Sequence, residues 1–598
     1  MYANTFRNPL KSFRWLIGLA LVLTLAMMTA GTLLRLNSGA QACPDYPTCY
    51  GSFALPADPA QATSMLHRWL AGTSFLALLG ALIVAGVHLR AQRGILIATL
   101  TATALFAIQI PLGAILVLGM AAQMSSALHF LLSMLALGAL TAAFALTHQI
   151  SPAPTHALRF TSPFARLTLW SNAAGLALLT SGALVSALDA GKACAEFPVC
   201  LPTEPLGWLA LVHRALMLIT GTLVSVQFVL AWRSQRSQTL TLPAVTAGFI
   251  LFFGQGLMGA LMVLRNFPVE LVGVHALATA GWIIANTLSL LAVGLAGRTA
   301  EDESLETRET LPLRERLGDF YRLNKPIIVL LLLVTTYAGM VVGGKRLPSL
   351  ELTFWTMLGG ALAAGGASAL NQYIDREVDK AMQRTAKRPI PSGRMKPAEG
   401  LAYGIAACLA AFFLLAGFVN LLAALLSLAG MVYYVILYSL WLKHATVQNI
   451  VIGGGAGAIP PLVGWAAATG SLNIPSLFLF AIIFFWTPPH FWALALVRRN
   501  DYARGGVPML PVVRGEMETR KQVFIYTLEL VGLTLLIPLF NLGGSIYLIS
   551  ALVLGLWLIG VAWRVLKQGG NKIAWTMYRT SSMYLAFLFL AMVIDVLV

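Results

Sequence analysis

The sequence predicts an all-α polytopic membrane protein, and its composition and its apolar runs both support this class. Of its 598 residues, 58% are hydrophobic and only 11% are charged, and the mean hydropathy is +0.78. These values exclude an ordinary soluble domain. Runs of about 17 or more apolar residues, the length that crosses a bilayer, recur along the whole chain.

The runs fall into two groups on either side of a long charged segment, Arg298 to Lys325. We expect about eight spans before this segment and about nine after it. The first group comprises residues 15–34, 68–87, 95–120, 127–147, 167–188, 207–232, 243–264 and 271–297. The second comprises residues 326–343, 352–370, 400–417, 419–442, 449–470, 474–497, 523–541, 545–566 and 577–598. The predicted domains are 1–297 and 318–598, joined by a cytoplasmic linker at 298–317.

The net charge of +17 does not indicate nucleic-acid binding, because Lys and Arg concentrate in short loops at the ends of the spans. The positive-inside rule accounts for that placement. Arg7, Lys11 and Arg14 assign the N-terminus to the cytoplasm. Alternate loops are marked as cytoplasmic by Arg90, Arg93, Arg159, Arg166, Arg233 and Arg236. We therefore expect a multi-pass protein of a bacterial-type inner cell membrane, surrounded by lipid.

The first domain is a tandem repeat of one four-helix unit. Its histidines recur at a separation of 146 residues, His67 with His213 and His129 with His275. The segment QIPLGAILVL, which begins at Gln109, matches QGLMGALMVL at the same separation. The two copies are about residues 1–150 and 155–297. Because each copy has an even number of spans, both have the same orientation in the membrane.

The four histidines begin spans two, four, six and eight, so all of them are expected near the outer face. A lone histidine in an apolar span is usually a helix contact, but four in register indicate ligands. Within each copy, two histidines that meet across the helical core would hold heme iron through two axial imidazoles. Zinc is the alternative, and the copies offer no inward carboxylate or thiolate to complete a tetrahedral zinc site. We therefore predict a bis-histidine heme in each copy.

Arginines and cysteines accompany the histidines on the outer side. Arg68 and Arg214 either pair with heme propionates or extend to the interface from the helix ends. Four of the five cysteines form two pairs in outer loops, Cys43 with Cys49 and Cys194 with Cys200. Disulfides persist on that side of a membrane, so we expect one in each loop, with a redox couple as the alternative for the first pair. Cys408 lies alone in an apolar run and is expected to pack there.

With the histidine quartet, the His-Arg pairs and the cysteine loops, residues 10–297 resemble heme A synthase, a family of heme-oxidising membrane enzymes. The resemblance implies that one copy holds a fixed heme b and that the other binds heme O. The methyl group of that heme O would be oxidised to a formyl group. By the family pattern, His67 and His129 face heme O, while His213 and His275 hold heme b.

One position departs from the family pattern. The family often has a glutamate three residues before its first His-Arg pair, but this chain has Ser64 there. The role of that carboxylate is therefore lost here or taken by another residue. Asp45 and Asp58, in the preceding loop, are the two candidates, and the sequence does not choose between them.

In the second domain, residues 371–394 form the most polar stretch and directly follow an apolar run. If the helix continues, Asn371, Asp375 and Asp379 fall at i, i+4 and i+8 and share one face. Two carboxylates and an amide in this arrangement suit Mg²⁺, which binds a few protein oxygens together with a substrate phosphate. Positive charge for a diphosphate comes from Arg384, Lys387, Arg388 and Arg394. The stretch predicts a diphosphate site at a membrane face.

Two further polar stretches return to the same face, which the span count makes cytoplasmic. One contains His490 within an apolar run and Asp501 at the end of a span. Asp501 either lies at the interface or binds a second Mg²⁺ beside Asn371, and His490 orients heme, acts as a base or simply packs. The other contains a glycine-rich turn at 453–457 that lacks the Lys of a P-loop. Its glycines favour close helix packing or the approach of a large flat ligand.

Together with KRP after the aspartate row, the motifs LKHATVQNIVIGG, WTPPHF and DYARGGVPMLP make residues 318–598 similar to protoheme IX farnesyltransferases. These heme O synthases belong to the intramembrane aromatic prenyltransferase superfamily. The resemblance implies Mg²⁺ on the aspartate row, farnesyl diphosphate as donor and the vinyl group of protoheme IX as acceptor. Lys325, Lys387 and Arg388 would help to bind the diphosphate. The superfamily's second aspartate-rich motif is reduced here to the region of Asp501.

The sequence therefore predicts a bifunctional enzyme of heme A biosynthesis, with heme b and Mg²⁺ as cofactors. The second domain would farnesylate protoheme IX to heme O, and the first would oxidise heme O to heme A for terminal oxidases. The oxidation needs an electron acceptor whose identity the sequence does not give, and a homo-oligomer is compatible with the prediction. Two alternatives remain open. One is a di-heme electron carrier fused to a quinone-type aromatic prenyltransferase, and the other is a non-catalytic heme chaperone.

Overall fold

The protein is helical throughout the part of the chain that the computed structural model describes. That part comprises residues 8–36, 41–119, 122–148, 158–306 and 312–598. Within it, the β pairing is one isolated bridge between Cys49 and Ser52, and sixteen helices are long and apolar enough to cross a membrane. The predicted all-α polytopic class is confirmed. Arg7 and the linker residues 307–311 lie outside the described residues.

The first of two compact units, Met1–Glu309, contains eight long described helices and a short one. They are α1 Pro9–Leu36, α2 Pro59–His88, α3 Arg93–Val117, α4 Ala122–Leu146, α5 Pro163–Ala187, α6 Pro205–Ser234, α7 Thr241–Leu264, α8 Val269–Ala296 and α9 Ala300–Glu306. The side chains of Asp58 and Ser162 accept hydrogen bonds from the first free amides of α2 and α5, which fixes where these helices begin. Consecutive helices pack as neighbours, α1 with α2, α3 with α4, α5 with α6 and α7 with α8.

The two copies of the repeat share a buried apolar cluster. Met28, Met134 and Leu137 of the first copy pack there with Leu179 and Ala280 of the second. All five side chains are buried. Because lipid is as apolar as these side chains, van der Waals packing rather than exclusion of water holds the helices together. The cluster makes the two copies one unit.

The second unit, Thr310–Val598, has eight of the candidate spans among its described residues. Its helices are α10 Leu313–Leu323, α11 Pro326–Gly344, α12 Leu350–Ile374, α13 Arg376–Ala381, α14 Pro397–Phe418, α15 Leu421–Val432, α16 Lys443–Ala445, α17 Asn449–Thr469, α18 Ile474–Val497, α19 Arg499–Arg504, α20 Leu510–Val513, α21 Gly515–Leu536, α22 Ser545–Gln568 and α23 Asn571–Leu597. A π-helix, Tyr433–Leu442, joins α15 to α16.

Each of the nine predicted runs of this unit is largely helical, but one differs from the rest. Helix α12 has 25 residues, yet it is not apolar enough to count among the candidate spans. Its last turn carries Asn371 and Gln372, both buried. Helix α12 thus delivers polar groups to the interior of the unit.

The glycine-rich segment 453–457 is part of helix α17, so the predicted turn is wrong. A Cβ atom on Gly453 would lie 2.3 Å from the ring of Tyr438, and one on Gly454 would lie 2.9 Å from Thr487. No residue larger than glycine fits at that separation. The predicted close helix packing is therefore confirmed, and it explains why the glycines stand in a helix that their propensity would weaken.

The predicted linker at 298–317 is partly helical, because α9 and the start of α10 fall within it. Helix α9 is tied to the first unit, where Glu303 accepts a hydrogen bond from Ser162 at 2.7 Å. Helix α10 is tied to the second unit, where Asp319 pairs with Arg394 at 3.1 Å. The bounds of the linker stay a prediction, since its middle lies outside the described residues.

Candidate functional site

The histidines of the repeat meet in pairs within each copy. His67 on α2 interacts electrostatically with His129 on α4, and His213 on α6 interacts with His275 on α8. The helices that bear them begin on the same side of the unit, because successive spans alternate in direction. Each copy thus places two imidazoles across its helical core, the arrangement that a bis-histidine heme requires.

Three of the four imidazoles are oriented through Nδ1. His67 Nδ1 is 2.9 Å from the Met27 carbonyl oxygen, and His275 Nδ1 is 3.0 Å from the Gln255 carbonyl oxygen. A carbonyl oxygen only accepts, so in both rings Nδ1 carries the proton and Nε2 keeps its lone pair. Metal-bound histidines have this second contact as a rule. The donor set therefore fits heme iron.

The other two histidines differ from each other. His213 Nδ1 is 2.9 Å from Ser181 Oγ, and that hydroxyl donates its own proton to the Leu178 carbonyl oxygen. Ser181 therefore accepts from His213, which fixes the same tautomer. His129 Nδ1 is buried and has no hydrogen-bond partner among the described residues.

Each histidine ring also packs against a glycine of the preceding helix, but at unequal distances. A Cβ on Gly31 would lie 3.0 Å from Cε1 of His67, and one on Gly182 would lie 2.9 Å from Cε1 of His213. The corresponding distances are 3.8 Å from Gly113 to His129 and 3.6 Å from Gly259 to His275. Gly31 and Gly182 are therefore required, because a side chain there would collide with the histidine ring. Gly113 and Gly259 leave an ordinary van der Waals distance to the ring.

Both outer loops are closed by disulfides, Cys43–Cys49 and Cys194–Cys200, and the predicted disulfides are confirmed. The arginine beside the first histidine of each copy binds its loop through backbone carbonyls. Arg68 donates to the carbonyl oxygen of Asp45 at 2.8 Å. Arg214 donates to those of Glu196 and Cys194, both at 2.5 Å. The guanidinium groups therefore anchor the disulfide loops above the histidines, a role that the sequence did not reveal.

Neither candidate for the missing glutamate has a free carboxylate. Asp58 caps α2, accepting from the amides of Ala60 and Gln61 at 3.0 Å. Asp45 accepts from the Thr48 hydroxyl and from amides of its own loop, and these hydrogen bonds, that of Thr48 foremost, lower the pKa of Asp45 to about 2. Both carboxylates are used to shape the loop and the start of α2. Ser64, in the family's glutamate position, is buried.

The aspartate row of the second unit is continuous, as predicted. Helix α12 ends at Ile374, but the backbone hydrogen bonds continue. The amide of Asp375 donates to the Asn371 carbonyl oxygen, and the amide of Asp379 donates to the Asp375 carbonyl oxygen. All three side chains are nearly inaccessible. Asn371 Nδ2 donates to Asp375 Oδ2 at 2.8 Å, while Asp375 Oδ1 is buried without a hydrogen-bond partner among the described residues. A buried carboxylate oxygen of this kind fits a cation.

Basic residues surround the row. Arg388 pairs with Asp379 at 2.5 Å, and Lys325 Nζ donates to Asn371 Oδ1 at 3.2 Å. Lys325 is held in the left-handed region, with φ +49°, a strained conformation typical of functional sites. Burial, followed by the Arg388 guanidinium, lowers the pKa of Lys325 to about 7.

The structure adds two residues that the predicted site lacked. Lys443 pairs with Asp375 at 2.5 Å, and the hydroxyl of Ser439 accepts from Asn371 Nδ2 at 3.1 Å. Both depend on the π-helix Tyr433–Leu442, which sets the direction of Ser439 and ends directly before Lys443. π-Helical turns often occur at functional sites. No sequence signal predicts one here, although the position of Lys443 in LKHATVQNIVIGG marked it as polar within an apolar region.

Three predicted site residues make no hydrogen bond or ion pair with this cluster among the described residues. Asp501 pairs with Arg504 in α19, and in the described part of the chain no three His, Cys, Asp or Glu side chains lie close enough to hold a metal ion. The binding of a second Mg²⁺ by Asp501 stays a prediction, and the contact that the structure shows for its carboxylate is the one with Arg504, three residues along. Lys387 is exposed and has no ion pair among the described residues.

His490 is enclosed by aromatic rings. It stacks between Trp486 at 4.2 Å and Tyr578 at 4.4 Å, measured between ring centroids. Its Nδ1 is 2.9 Å from Ser581 Oγ. These contacts join α18 to α23, so of the three roles considered for His490 the structure favours packing.

Comparison with known proteins matches a part of each unit to a family. Residues 332–590 match the UbiA prenyltransferase family, and residues 13–203 match a cytochrome oxidase assembly protein family. A protoheme IX farnesyltransferase of Roseiflexus sp. (strain RS-1) is 43% identical over 72% of this chain and 84% of its own length. That of Chloroflexus aurantiacus is 37% identical over 98% of both chains. That of Gloeobacter violaceus is 51% identical over 47% of this chain and 93% of its own.

A bundle of membrane helices around buried aspartates, lysines and an arginine defines a multi-pass membrane prenyltransferase, and the match at residues 332–590 gives the same class. The relatives that cover most of their own length narrow this class further. The chain belongs to the protoheme IX farnesyltransferase family, with an additional N-terminal part of the cytochrome oxidase assembly type. Its activity thus lies in heme biosynthesis.

Proposed function

We propose that the chain converts protoheme IX to heme A in two steps, farnesylation in the second unit and oxidation in the first. The observation that carries the proposal is the presence in one chain of a paired-charge diphosphate site and four paired imidazoles, three of which are oriented through Nδ1. The Chloroflexus relative supports it, because it aligns with both units over 98% of its length. Joining consecutive steps in one chain would keep a very insoluble intermediate, heme O, in one place.

In the second unit, Asn371, Asp375 and Asp379 would hold Mg²⁺ together with the diphosphate of farnesyl diphosphate. Mg²⁺ supplies stabilisation of the negative charge on the leaving diphosphate. The chain's own cations contribute to the same end: Arg388 and Lys325 lie beside the row, and Lys387 is available from the exposed segment that follows it. The C–O bond of the farnesyl donor would break there with release of diphosphate, and a C–C bond would form to the protoheme vinyl group as its π bond opens. Water would then add to the resulting carbocation and lose a proton.

Two residues would have supporting parts in this step. Asp501 would contribute to a second Mg²⁺ only after release from Arg504. His490 would act through the aromatic stack that holds α18 against α23. Lys443, which pairs with Asp375, becomes free for the diphosphate when a metal ion takes over that carboxylate.

In the first unit, His213 and His275 would hold heme b, and His67 and His129 would bind heme O as substrate. Heme b supplies the redox chemistry of the oxidation, and an external electron acceptor completes it. The Nδ1 contacts of the imidazoles keep Nε2 unprotonated for iron. Arg68 and Arg214 would reach the propionates by exchanging some of their hydrogen bonds to the loop, because both terminal nitrogens of each guanidinium donate to loop carbonyls.

The proposed setting is a bacterial inner membrane with the N-terminus in the cytoplasm. The predicted bounds, 1–297, 298–317 and 318–598, would then put the aspartate site on the cytoplasmic face and the histidines near the outer face. With the sites on these predicted faces, heme O would either pass within the bilayer between them or diffuse. If cutting the chain near residue 305 leaves the heme A yield unchanged, direct transfer within one chain is excluded.

The decisive experiment is expression in a host that lacks both steps, followed by chromatography of the extracted hemes. The full chain should give heme A, Asp375→Ala should stop at heme b, and His67→Ala should stop at heme O. Glu377→Ala, an exposed carboxylate two residues from Asp375, is the matched control and should still give heme A. Heme b alone, with a prenylated quinone, would instead identify the electron-carrier alternative. Heme A production by Asp375→Ala would indicate a chaperone.

A further inference from the structure

The two copies of the repeat hold their second histidine differently, although the surrounding sequence is matched. His275 Nδ1 is 3.0 Å from the Gln255 carbonyl oxygen. Gln109 is the counterpart of Gln255 in the first copy, but there His129 Nδ1 is buried with no partner among the described residues. The Gln109 side chain instead donates from Nε2 to the carbonyl oxygen of His129 at 2.9 Å.

The distance between the histidine ring and the facing glycine also differs among the four histidines. A Cβ on Gly113 would lie 3.8 Å from Cε1 of His129, the largest of the four distances between a glycine and a histidine ring in the repeat. The same distance is 3.0 Å at His67, the other histidine of that copy. Among the described residues, His129 is thus the imidazole without an Nδ1 partner, and the glycine that faces it leaves more space than the one that faces His67.

These two observations have one chemical consequence. A hydrogen bond from Nδ1–H to an acceptor fixes the ring and makes Nε2 a stronger donor to a metal. His67 has that bond and His129 lacks it, so within one pair the bond from His129 to iron is the weaker. A ligand that leaves must also have space to rotate, and His129 has it.

We propose that His129 is the exchangeable ligand of the first copy, the imidazole that leaves iron when heme is taken up and released, while His67 stays bound. The inference rests on the proposed function, because it presupposes that His67 and His129 bind heme. It extends that function by assigning different roles to His67 and His129, which the sequence pattern does not distinguish. In the exchange, the lone pair of His129 Nε2 leaves iron and the lone pair of an incoming ligand replaces it, without a change in oxidation state.

Carbon monoxide is the probe, because it binds ferrous six-coordinate heme only after a protein ligand has left. The full chain is purified with heme b bound, reduced with dithionite and mixed with carbon monoxide, and the Soret band is followed. We expect one of two hemes per chain to bind carbon monoxide. The double variant His67→Ala/His129→Ala keeps only the heme of the second copy, and it should not bind carbon monoxide.

A locking variant identifies the ligand that leaves. In Gly113→Ser the new hydroxyl can accept from His129 Nδ1, as Ser181 does from His213. Carbon monoxide should then bind about fivefold more slowly, the factor that a hydrogen bond of about 1 kcal/mol gives. Gly259→Ser is the matched control, because His275 already has its partner, and it should leave the rate unchanged. Heme content per chain and the absorption spectrum show whether each variant is folded and loaded.

The outcomes separate the inference from the function beneath it. If the chain holds no six-coordinate heme, the proposed function fails and the inference fails with it. If two six-coordinate hemes are present but both or neither bind carbon monoxide, the inference alone is wrong. A wild-type rate in fully loaded Gly113→Ser would likewise exclude His129 as the ligand that leaves.

Discussion

The two units handle polar groups in a membrane in opposite ways. The first unit uses neutral imidazoles, and three of its four heme-ligand candidates bond through Nδ1 to a single carbonyl or hydroxyl of a neighbouring helix. The second unit gathers carboxylates and cations into one cluster at the end of α12. A neutral ring needs one hydrogen bond when it is buried, whereas a buried carboxylate needs a counter-charge. Neutral ligands can therefore recur at separate positions in a helical bundle, whereas buried charged ligands must lie beside groups of the opposite charge.

The largest effect should come from removing one charge of the second unit. Lys443→Met leaves Asp375 buried without its cation, which costs about 3–5 kcal/mol of stability. Thermal unfolding in detergent should show a clearly lower midpoint, and Mg²⁺ should restore part of it by binding the uncompensated carboxylate. Lys380→Met is the control, because its pair with Glu377 is solvent-exposed, and it should change stability by about 0.5 kcal/mol or less. A wild-type midpoint for Lys443→Met would show that the pair is unimportant.

A smaller effect is expected from crowding a neutral ring in the first unit. Gly31→Ala would put a methyl group 3.0 Å from the ring of His67 and displace it, at a cost of about 1–3 kcal/mol. Heme bound by the first copy should fall roughly tenfold, as measured by heme content and the reduced absorption spectrum. Gly113→Ala, with 3.8 Å available to His129, should retain its heme. Equal losses in the two variants would mean that ring position is not set by these glycines.

The smallest effect concerns an exposed charge of the first unit. The pKa of Asp45 is lowered to about 2 by its bonds to Thr48 and to the loop amides. A carboxylate whose pKa is lowered by folding stabilises the folded loop at pH values above its ordinary pKa, near 4. This stabilisation is lost as the pH falls towards about 2. Pepsin should therefore cut the loop 43–52 faster at about pH 2 than at about pH 4, relative to a reference peptide. In Asp45→Asn this difference should disappear, and its persistence would assign the pH response to another group.

Much of this protein was predictable from short-range patterns. Apolar runs gave the helices within a few residues, because a bilayer requires that length and internal backbone hydrogen bonds. The constant separation of 146 residues revealed the repeat and its histidines. The aspartate row was predictable because a helix puts i, i+4 and i+8 on one face. The glycines at 453–457 were misassigned to a turn, because their helix is stabilised by packing against Tyr438 and Thr487 rather than by propensity.

The sequence alone determined the membrane helices, the duplication, the disulfide loops and the types of side chain at both sites, since each is a matter of composition or regular spacing. Only the tertiary structure decided that Lys443 and Ser439 meet the aspartate row and that Arg68 binds its own loop. It also decided that His67 Nδ1 has a hydrogen-bond partner and that His129 Nδ1 has none in the part of the chain that the structure describes. Such contacts join helices far apart in the chain, and their geometry depends on how closely the helices pack.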